Sequence, residues 1–230
     1  MTLQSAGQSA GQSAGVATTD LSSFIRQNLP LTAVPSVPEI RLHTAHSGSR
    51  LRRIERQGKE NAAPYWAYPW AGGVALARYI LDWPQSVHGR HVLDLGAGSG
   101  LVSIAAAKTG AGSVLAAEID RNALAALSLN LAANAVTATV IDRNIMDGEP
   151  PAVDLVLVGD LFYEPRLAKR VTAFLDRCIA AGIEVLVGDL GRKDLPLSRL
   201  RLLAEYPVAD FGDAKDALAR RGCVFAFEPG

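Results

Sequence analysis

The sequence predicts an α/β fold: a mostly parallel seven-stranded sheet covered by helices, with an antiparallel hairpin at its C-terminal edge. Three observations carry this. Short apolar runs such as Val92–Leu95, Val114–Ala117 and Leu155–Val158 lack the alternation of a half-solvated sheet, so these strands are buried on both faces. Helix-compatible stretches follow them, which is the rhythm of a parallel sheet. The segment His91–Gly100, HVLDLGAGSG, joins a strand to a helix through a glycine-rich turn.

Composition narrows the function classes. A chain of 230 residues with 49% hydrophobic content buries one sizeable core. Lys+Arg and Asp+Glu both number 23, so no net charge draws the chain to a polyanion, and nucleic acid is not expected as a partner. No apolar run reaches the ~18 residues a membrane span needs, and no long heptad pattern appears, so a monomer without membrane contact is expected. Cys178 and Cys223 show no metal or redox spacing and fit a reducing compartment. With no Lys or Arg before Arg26 and no hydrophobic signal core, the expected location is cytoplasmic.

In order along the chain, residues 1–19 contain QSAG three times between Gln4 and Gly15 and read as a disordered tail. Residues 20–89 read as an N-terminal extension and 90–230 as the core. Asp20 is a candidate N-cap for a helix with Leu21, Phe24, Ile25 and Leu29 on one face, stopped by Pro30. Pro30, Pro35 and Pro38 predict an extended connector, followed by a strand through Arg41, Leu42 and His43. Arg50, Arg52, Arg53, Arg56 and Lys59, relieved by Glu55 and Glu60, read as a solvated face or as a docking surface for a protein substrate. His43 and His46 have no third ligand nearby, so no metal is expected. The aromatic turn PYWAYPWAGG, Pro64–Gly73, leads into a helix carrying Val74, Leu76, Ala77, Ile80 and Leu81. Its tryptophans, Trp66 and Trp70, serve either core packing or a ligand pocket whose ring faces attract a cation.

Gly96, Gly98 and Gly100 permit a tight turn and the approach of a ligand to bare backbone at a helix N-terminus. A dinucleotide fingerprint wants its third glycine at position 101, which is Leu101 here; the spacing therefore favours another adenosine compound. The strand Ser113–Ala117 ends at Glu118, placed to accept hydrogen bonds from ribose hydroxyls, with Asp120 capping a helix from Arg121 to Ala133. A strand from Thr137 to Ile141 runs into Asp142, Arg143 and Asn144, a loop whose polar side chains could meet an adenine amine. The strand Asp154–Val158 delivers Asp160 and Tyr163 to the carboxyl edge, where open α/β sheets bind ligands. A helix from Arg166 to Ala181 ends at Gly182, and a fifth strand, Glu184–Val187, leads to Gly188–Arg192. A short helix near Leu197–Leu203 and strands near Tyr206–Ala209 and Cys223–Phe227 complete the chain.

The Asp94–Gly100 loop is similar to the nucleotide-binding loop of the Rossmann-like S-adenosylmethionine-dependent methyltransferase fold. From Asp20 to Gly230 the chain resembles the seven-β-strand protein-lysine methyltransferases, most closely those of the electron transfer flavoprotein β subunit, in a form that looks bacterial. The resemblance rests on PYWAYPWAGG, DLGAGSG, EID (Glu118–Asp120), GDLFYE (Gly159–Glu164), GDLGR (Gly188–Arg192) and FAFEP (Phe225–Pro229). It implies S-adenosyl-L-methionine as cofactor and lysines of the flavoprotein β subunit as acceptors. It further implies that Trp70, Asp94, Gly96, Gly98, Gly100, Glu118 and Asn144 bind cofactor, and that Asp160 and Tyr163 form the acidic-x-x-aromatic acceptor site, Asp160 bordering the cofactor too. Asp160 is read as an orienting acceptor for the lysine amine and not a strong base, and Trp66, Tyr68 and Phe162 are read as desolvating that amine. Enzymes of planar amide or adenine nitrogens carry Pro-Pro where this chain has Leu161-Phe162. Another protein or a small amine as acceptor, or a non-catalytic binding module, are the competing readings.

Overall fold

A computed structural model describes residues 15–46, 48–49, 51, 64–208 and 220–230. The chain begins with α1 (Gly15–Asn28), followed by an antiparallel hairpin of β1 (Leu31–Val34) and β2 (Val37–His43). The helix thus starts ahead of the Asp20 cap expected for it, and includes the end of the segment read as a tail; the rest of that segment lies outside the described residues. The predicted connector is a correction: it is this hairpin. Pro35 presets the turn and Ser36, at φ 66°, supplies its left-handed residue. Pro38 is tolerated because this sheet has two strands, so an N–H on the outer side has no partner to lose. The basic cluster Arg50–Lys59 lies outside the described residues.

The core comprises α2 (Ala71–Asp82), β3 (His91–Leu95), α3 (Leu101–Lys108), β4 (Ser113–Ala117), α4 (Arg121–Ala133), β5 (Thr139–Ile141), β6 (Leu155–Gly159), α5 (Pro165–Ala180), β7 (Glu184–Asp189), β8 (Leu200–Val208) and β9 (Arg220–Phe227). The seven strands from β3 onward form one sheet in the order β5-β4-β3-β6-β7-β9-β8. It is parallel through β7; β9 is antiparallel to both β7 and β8, which gives the expected edge hairpin. The short helix expected near Leu197–Leu203 is a correction. A single 3-10 turn, Leu197–Arg199, precedes β8, because pairing of Leu200 with Phe227 and onward with β9 outweighs the local preference of a Leu- and Arg-rich stretch.

Burial explains the continuous apolar runs. In β6, Leu155 and Leu157 face a core shared with α2, α3, α4 and the N-terminal hairpin, while Val156 and Val158 face α5. Trp66 joins α1 and α4 in a third cluster with Ile25, Leu29 and Ala126.

The first turn of α2 sits against the ends of β6 and β7 because glycines meet there. A Cβ on Gly188 would run into the Gly72 carbonyl and lie 2.8 Å from Leu76 Cβ, and one on Gly159 would lie 3.1 Å from Gly73 Cα. Gly182, by contrast, has φ 78° and open space around the missing Cβ. Gly188→Ala is therefore expected to cost about 3 kcal/mol through overpacking, and Gly182→Ala about 1 kcal/mol through backbone strain. In thermal unfolding, Gly188→Ala should lower Tm roughly three times as far as Gly182→Ala.

Candidate active site

The carboxyl ends of β3, β4 and β6 lie side by side, and the glycine-rich loop leaves β3 in their midst. Gly96, Gly98 and Gly100 have φ of 71°, 54° and 90°. Their missing Cβ atoms serve different ends. A Cβ on Gly96 would lie 2.8 Å from Leu161 Cδ2, and one on Gly100 would collide with Leu127 Cδ1. At Gly98 the nearest atom is the Gly96 carbonyl oxygen at 4.0 Å, so this is the loop position with bare backbone open to a ligand.

Glu118, at the end of β4, leans across this loop. Its Oε2 accepts from Gly98 N–H at 2.8 Å, and its Oε1 from Ile119 N–H at 2.6 Å and Asp120 N–H at 2.8 Å. A carboxylate offers about four acceptor positions, so one remains on Oε2 for a hydroxyl. Asp120 caps α4 by accepting from Asn122 N–H at 2.7 Å. An adenosine ligand fits this lining: a Cβ-free cradle at Gly98, with a fixed anionic acceptor beside it.

Asn144 is exposed beyond β5, its Nδ2 donating to Asp147 at 2.6 Å and its Oδ1 accepting from Met146 N–H at 3.0 Å. Trp70 precedes α2 and donates its indole N–H to the Tyr65 carbonyl at 2.7 Å, leaving the ring as what it can offer a ligand.

Asp160 follows β6 with φ 57°, a conformation uncommon outside glycine that marks a constrained site. Its backbone N–H donates to the Gly188 carbonyl at 3.0 Å, and its Oδ2 accepts from Gly73 N–H in the first turn of α2 at 2.6 Å. Its Oδ1 accepts from Arg192 Nη1. The same Nη1 reaches Asp189 Oδ2 at 3.2 Å. Burial pushes the Asp160 carboxyl up to about 6; Arg192 and the Gly73 N–H pull it down, and Asp189 adds to the rise. Asp160 also caps a helix whose own N-cap, Trp70, offers no side-chain acceptor.

Tyr163 is 48% exposed, its ring 5.6 Å from that of Tyr65, itself 52% exposed. Trp70 lies 5.8 Å from Tyr65, and Tyr68 lies 6.2 Å from Trp70. Partial burial, then Tyr65, Glu164 and Glu118, hold the Tyr163 phenol above its ordinary range, so it is protonated at neutral pH. Two rings expected to desolvate an amine are elsewhere. Trp66 is buried between α1 and α4, and Phe162 is fully buried against the α5 side of the sheet. Tyr65, Tyr68, Trp70 and Tyr163 form the aromatic surface instead.

The sequence pattern assigns no role to Tyr65, Asp189 or Arg192, although the last two stand in the GDLGR segment; the signal for Asp189 is an aspartate closing a buried apolar strand, much as Asp160 directly follows one. It also passed over Asn130. Buried in α4, Asn130 donates to the Ser99 carbonyl at 2.9 Å and accepts from His43 N–H at 2.8 Å, which links the glycine loop to the N-terminal hairpin. Among the described residues, no group of three or more His, Cys, Asp or Glu converges as a metal site, and no helix is long and apolar enough to cross a membrane.

This strand order, with acidic residues at the strand ends around a glycine-rich loop, is that of the Rossmann-like methyltransferase fold. TrmN from Thermus thermophilus has the same fold, with a TM-score of 0.51 at 22% identity over 69% of this chain and 49% of that one. A Pyrococcus horikoshii protein has a TM-score of 0.50 at 16% identity over 91% and 96%. The profile of the ribosomal protein L11 methyltransferase (PrmA) family matches residues 79–161. The electron transfer flavoprotein β-subunit lysine methyltransferases of Xenopus laevis, Rattus norvegicus and Homo sapiens are 37%, 34% and 33% identical, covering 90%, 91% and 91% of this chain and 87%, 85% and 83% of their own. The chain belongs to this family of lysine methyltransferases.

Asp94 is placed to hold the loop's helix. Its Oδ2 accepts from both the N–H and the hydroxyl of Ser103 in α3, at 2.8 and 2.6 Å. Burial pushes its carboxyl from 3.8 up to about 6, against the two Ser103 bonds, with Glu118 adding to the rise. Since the folded chain holds this proton to higher pH than the unfolded one, stability carried by Asp94 falls as pH rises through that window. Measured by denaturant unfolding against Asp94→Asn, wild-type stability should drop by on the order of 2 kcal/mol between about pH 4 and 6 and level off above.

Proposed function

We propose that this chain is an S-adenosyl-L-methionine-dependent protein-lysine N-methyltransferase whose acceptors are lysines of the electron transfer flavoprotein β subunit. The observation that carries this reading is identity of 33–37% to curated enzymes of that name over about nine-tenths of the chain. S-adenosyl-L-methionine supplies, when bound, an electrophilic methyl group on a cationic sulfonium. Gly98 offers bare backbone to it and Glu118 its remaining Oε2 acceptor position to a ribose hydroxyl. Asn144 keeps a second amide hydrogen and lone pair for an adenine edge. Trp70 contributes a ring face, Gly96 and Gly100 keep the loop packed, and Asp94 fixes the following helix through Ser103.

The acceptor nitrogen reacts through a lone pair, so the lysine must be neutral. For a side chain with pKa about 10.4 this costs ~4–5 kcal/mol at pH 7. Tyr163 and Tyr65 present a half-exposed aromatic face that draws the ammonium in and strips part of its water. Asp160 accepts a hydrogen bond from the nitrogen and orients it. It is not the base, because its carboxylate is already held by Arg192 and the Gly73 N–H; the proton leaves to solvent beside Tyr163. Most of the acceleration then comes from alignment.

Cytoplasmic placement draws support from the two free cysteines, and the enzyme is read as acting as a monomer. The test is incubation of purified protein with methyl-labelled cofactor and purified flavoprotein, then mapping by mass spectrometry. Label is expected on β-subunit lysines. Asp160→Asn should reduce kcat by about 100-fold through misplacement of the amine, with cofactor affinity by calorimetry nearly unchanged. Label on a different protein in extract and none on the flavoprotein would remove the substrate assignment and leave the methyltransferase class standing.

A further inference from the structure

Arg192 joins two buried carboxylates at the ends of neighbouring strands. Asp189 is fully buried at the end of β7 and Asp160 is 8% exposed at the end of β6. One nitrogen, Nη1, serves both, and the Arg192 backbone N–H donates to Asp189 Oδ1 at 2.8 Å. Gly191, at φ 79°, turns the chain so that Arg192 folds back over its own strand end. Two carboxylates and one guanidinium carry one net negative charge. Without the cation, like charges this close could not both stay ionised, and one would take a proton. The groups facing Asp160 are the Gly73 N–H from α2, and Arg192 and Asp189 from β7 and the loop after it.

We propose that Arg192 is a positioning residue for methyl transfer: by bridging Asp160 and Asp189 it keeps Asp160 an ionised acceptor, pinned at the N-terminus of α2, for the incoming lysine amine. This rests on the lysine-methyltransferase reading above. Arg192 does not touch the substrate; it acts through Asp160. Asp189 works in the opposite direction electrostatically, since it raises the proton affinity of Asp160 while Arg192 lowers it. That opposition provides a test which a structural role for either residue would not reproduce.

The measurement is kcat/KM for the flavoprotein from pH 5 to 9 in wild type, Arg192→Gln, Arg192→Lys and Asp189→Asn. Deprotonation of the lysine gives log kcat/KM a slope of about 1 throughout this range, and loss of ionised Asp160 steepens it below a break point. Arg192→Gln should move the break up by about one pH unit or more and lower kcat/KM at pH 7 about twofold at a one-unit shift, rising to about tenfold at about two units, with KM for the cofactor unchanged. Arg192→Lys should restore part of the shift. Asp189→Asn, which keeps the side-chain shape, should move the break down. A break that stays in place, or moves the same way in Arg192→Gln and Asp189→Asn, overturns the proposal. If wild type transfers no methyl to the flavoprotein, the substrate reading fails by itself. The NMR titration of the Asp160 carboxyl, assigned with Asp160→Asn, then decides: midpoints displaced in opposite directions support the role of Arg192, and an unmoved midpoint removes it.

Discussion

The site depends on a helix start being pressed onto the ends of two strands. The first turn of α2 meets β6 and β7 at Gly72, Gly73, Gly159 and Gly188, where a Cβ on Gly72, Gly159 or Gly188 would crowd the facing chain. That approach brings the Gly73 N–H to the Asp160 carboxylate. A helix terminus with unsatisfied N–H groups and no side-chain cap of its own is thereby completed by an acid from another element. The aromatic turn before α2 is carried along, which is why Tyr65 comes to rest beside Tyr163.

The two sides of the site are built on different principles. Around the glycine-rich loop, backbone groups do most of the work: Gly96 and Ala97 N–H both donate to the Ala117 carbonyl, and Glu118 binds three further backbone N–H groups. The result is a rigid loop with one open glycine. Around Asp160, charge is concentrated in side chains. Asp160 and Asp189 are buried and are bridged by Arg192, whose side chain is 22% exposed, while Tyr65 and Tyr163 stand half-exposed against each other. A buried network of this kind is costly unless each member is satisfied, and here every carboxylate oxygen of the pair has a named partner.

Hydrogen bonds across elements extend this arrangement outward. Asn130 in α4 and Asn134, which caps its C-terminus, bind β2 at His43 and at Arg41, and Asn130 also holds Ser99 in the loop. The N-terminal hairpin is thus part of the support of the glycine-rich loop, although it stands outside the seven-stranded sheet.

The strands, the helices between them and the acidic residues at their ends were legible in the sequence because each is governed by local periodicity and capping: β4 and α4 fall where Ser113–Ala117 and Arg121–Ala133 predicted. So was the direction of the C-terminal hairpin. The β1–β2 hairpin was not, since prolines disguised a turn whose register is set by packing onto α4, nor was the start of β8, which pairing with β9 decides. By itself the sequence determined the sheet, the glycine loop and the presence of Glu118, Asp160 and Tyr163 at one edge. Which aromatic rings face that edge, and that Asp160 is held by Gly73 and Arg192, residues 87 and 32 positions away, only the tertiary structure decided. Such contacts follow from how closely helices and strands pack, and no short-range pattern encodes that distance.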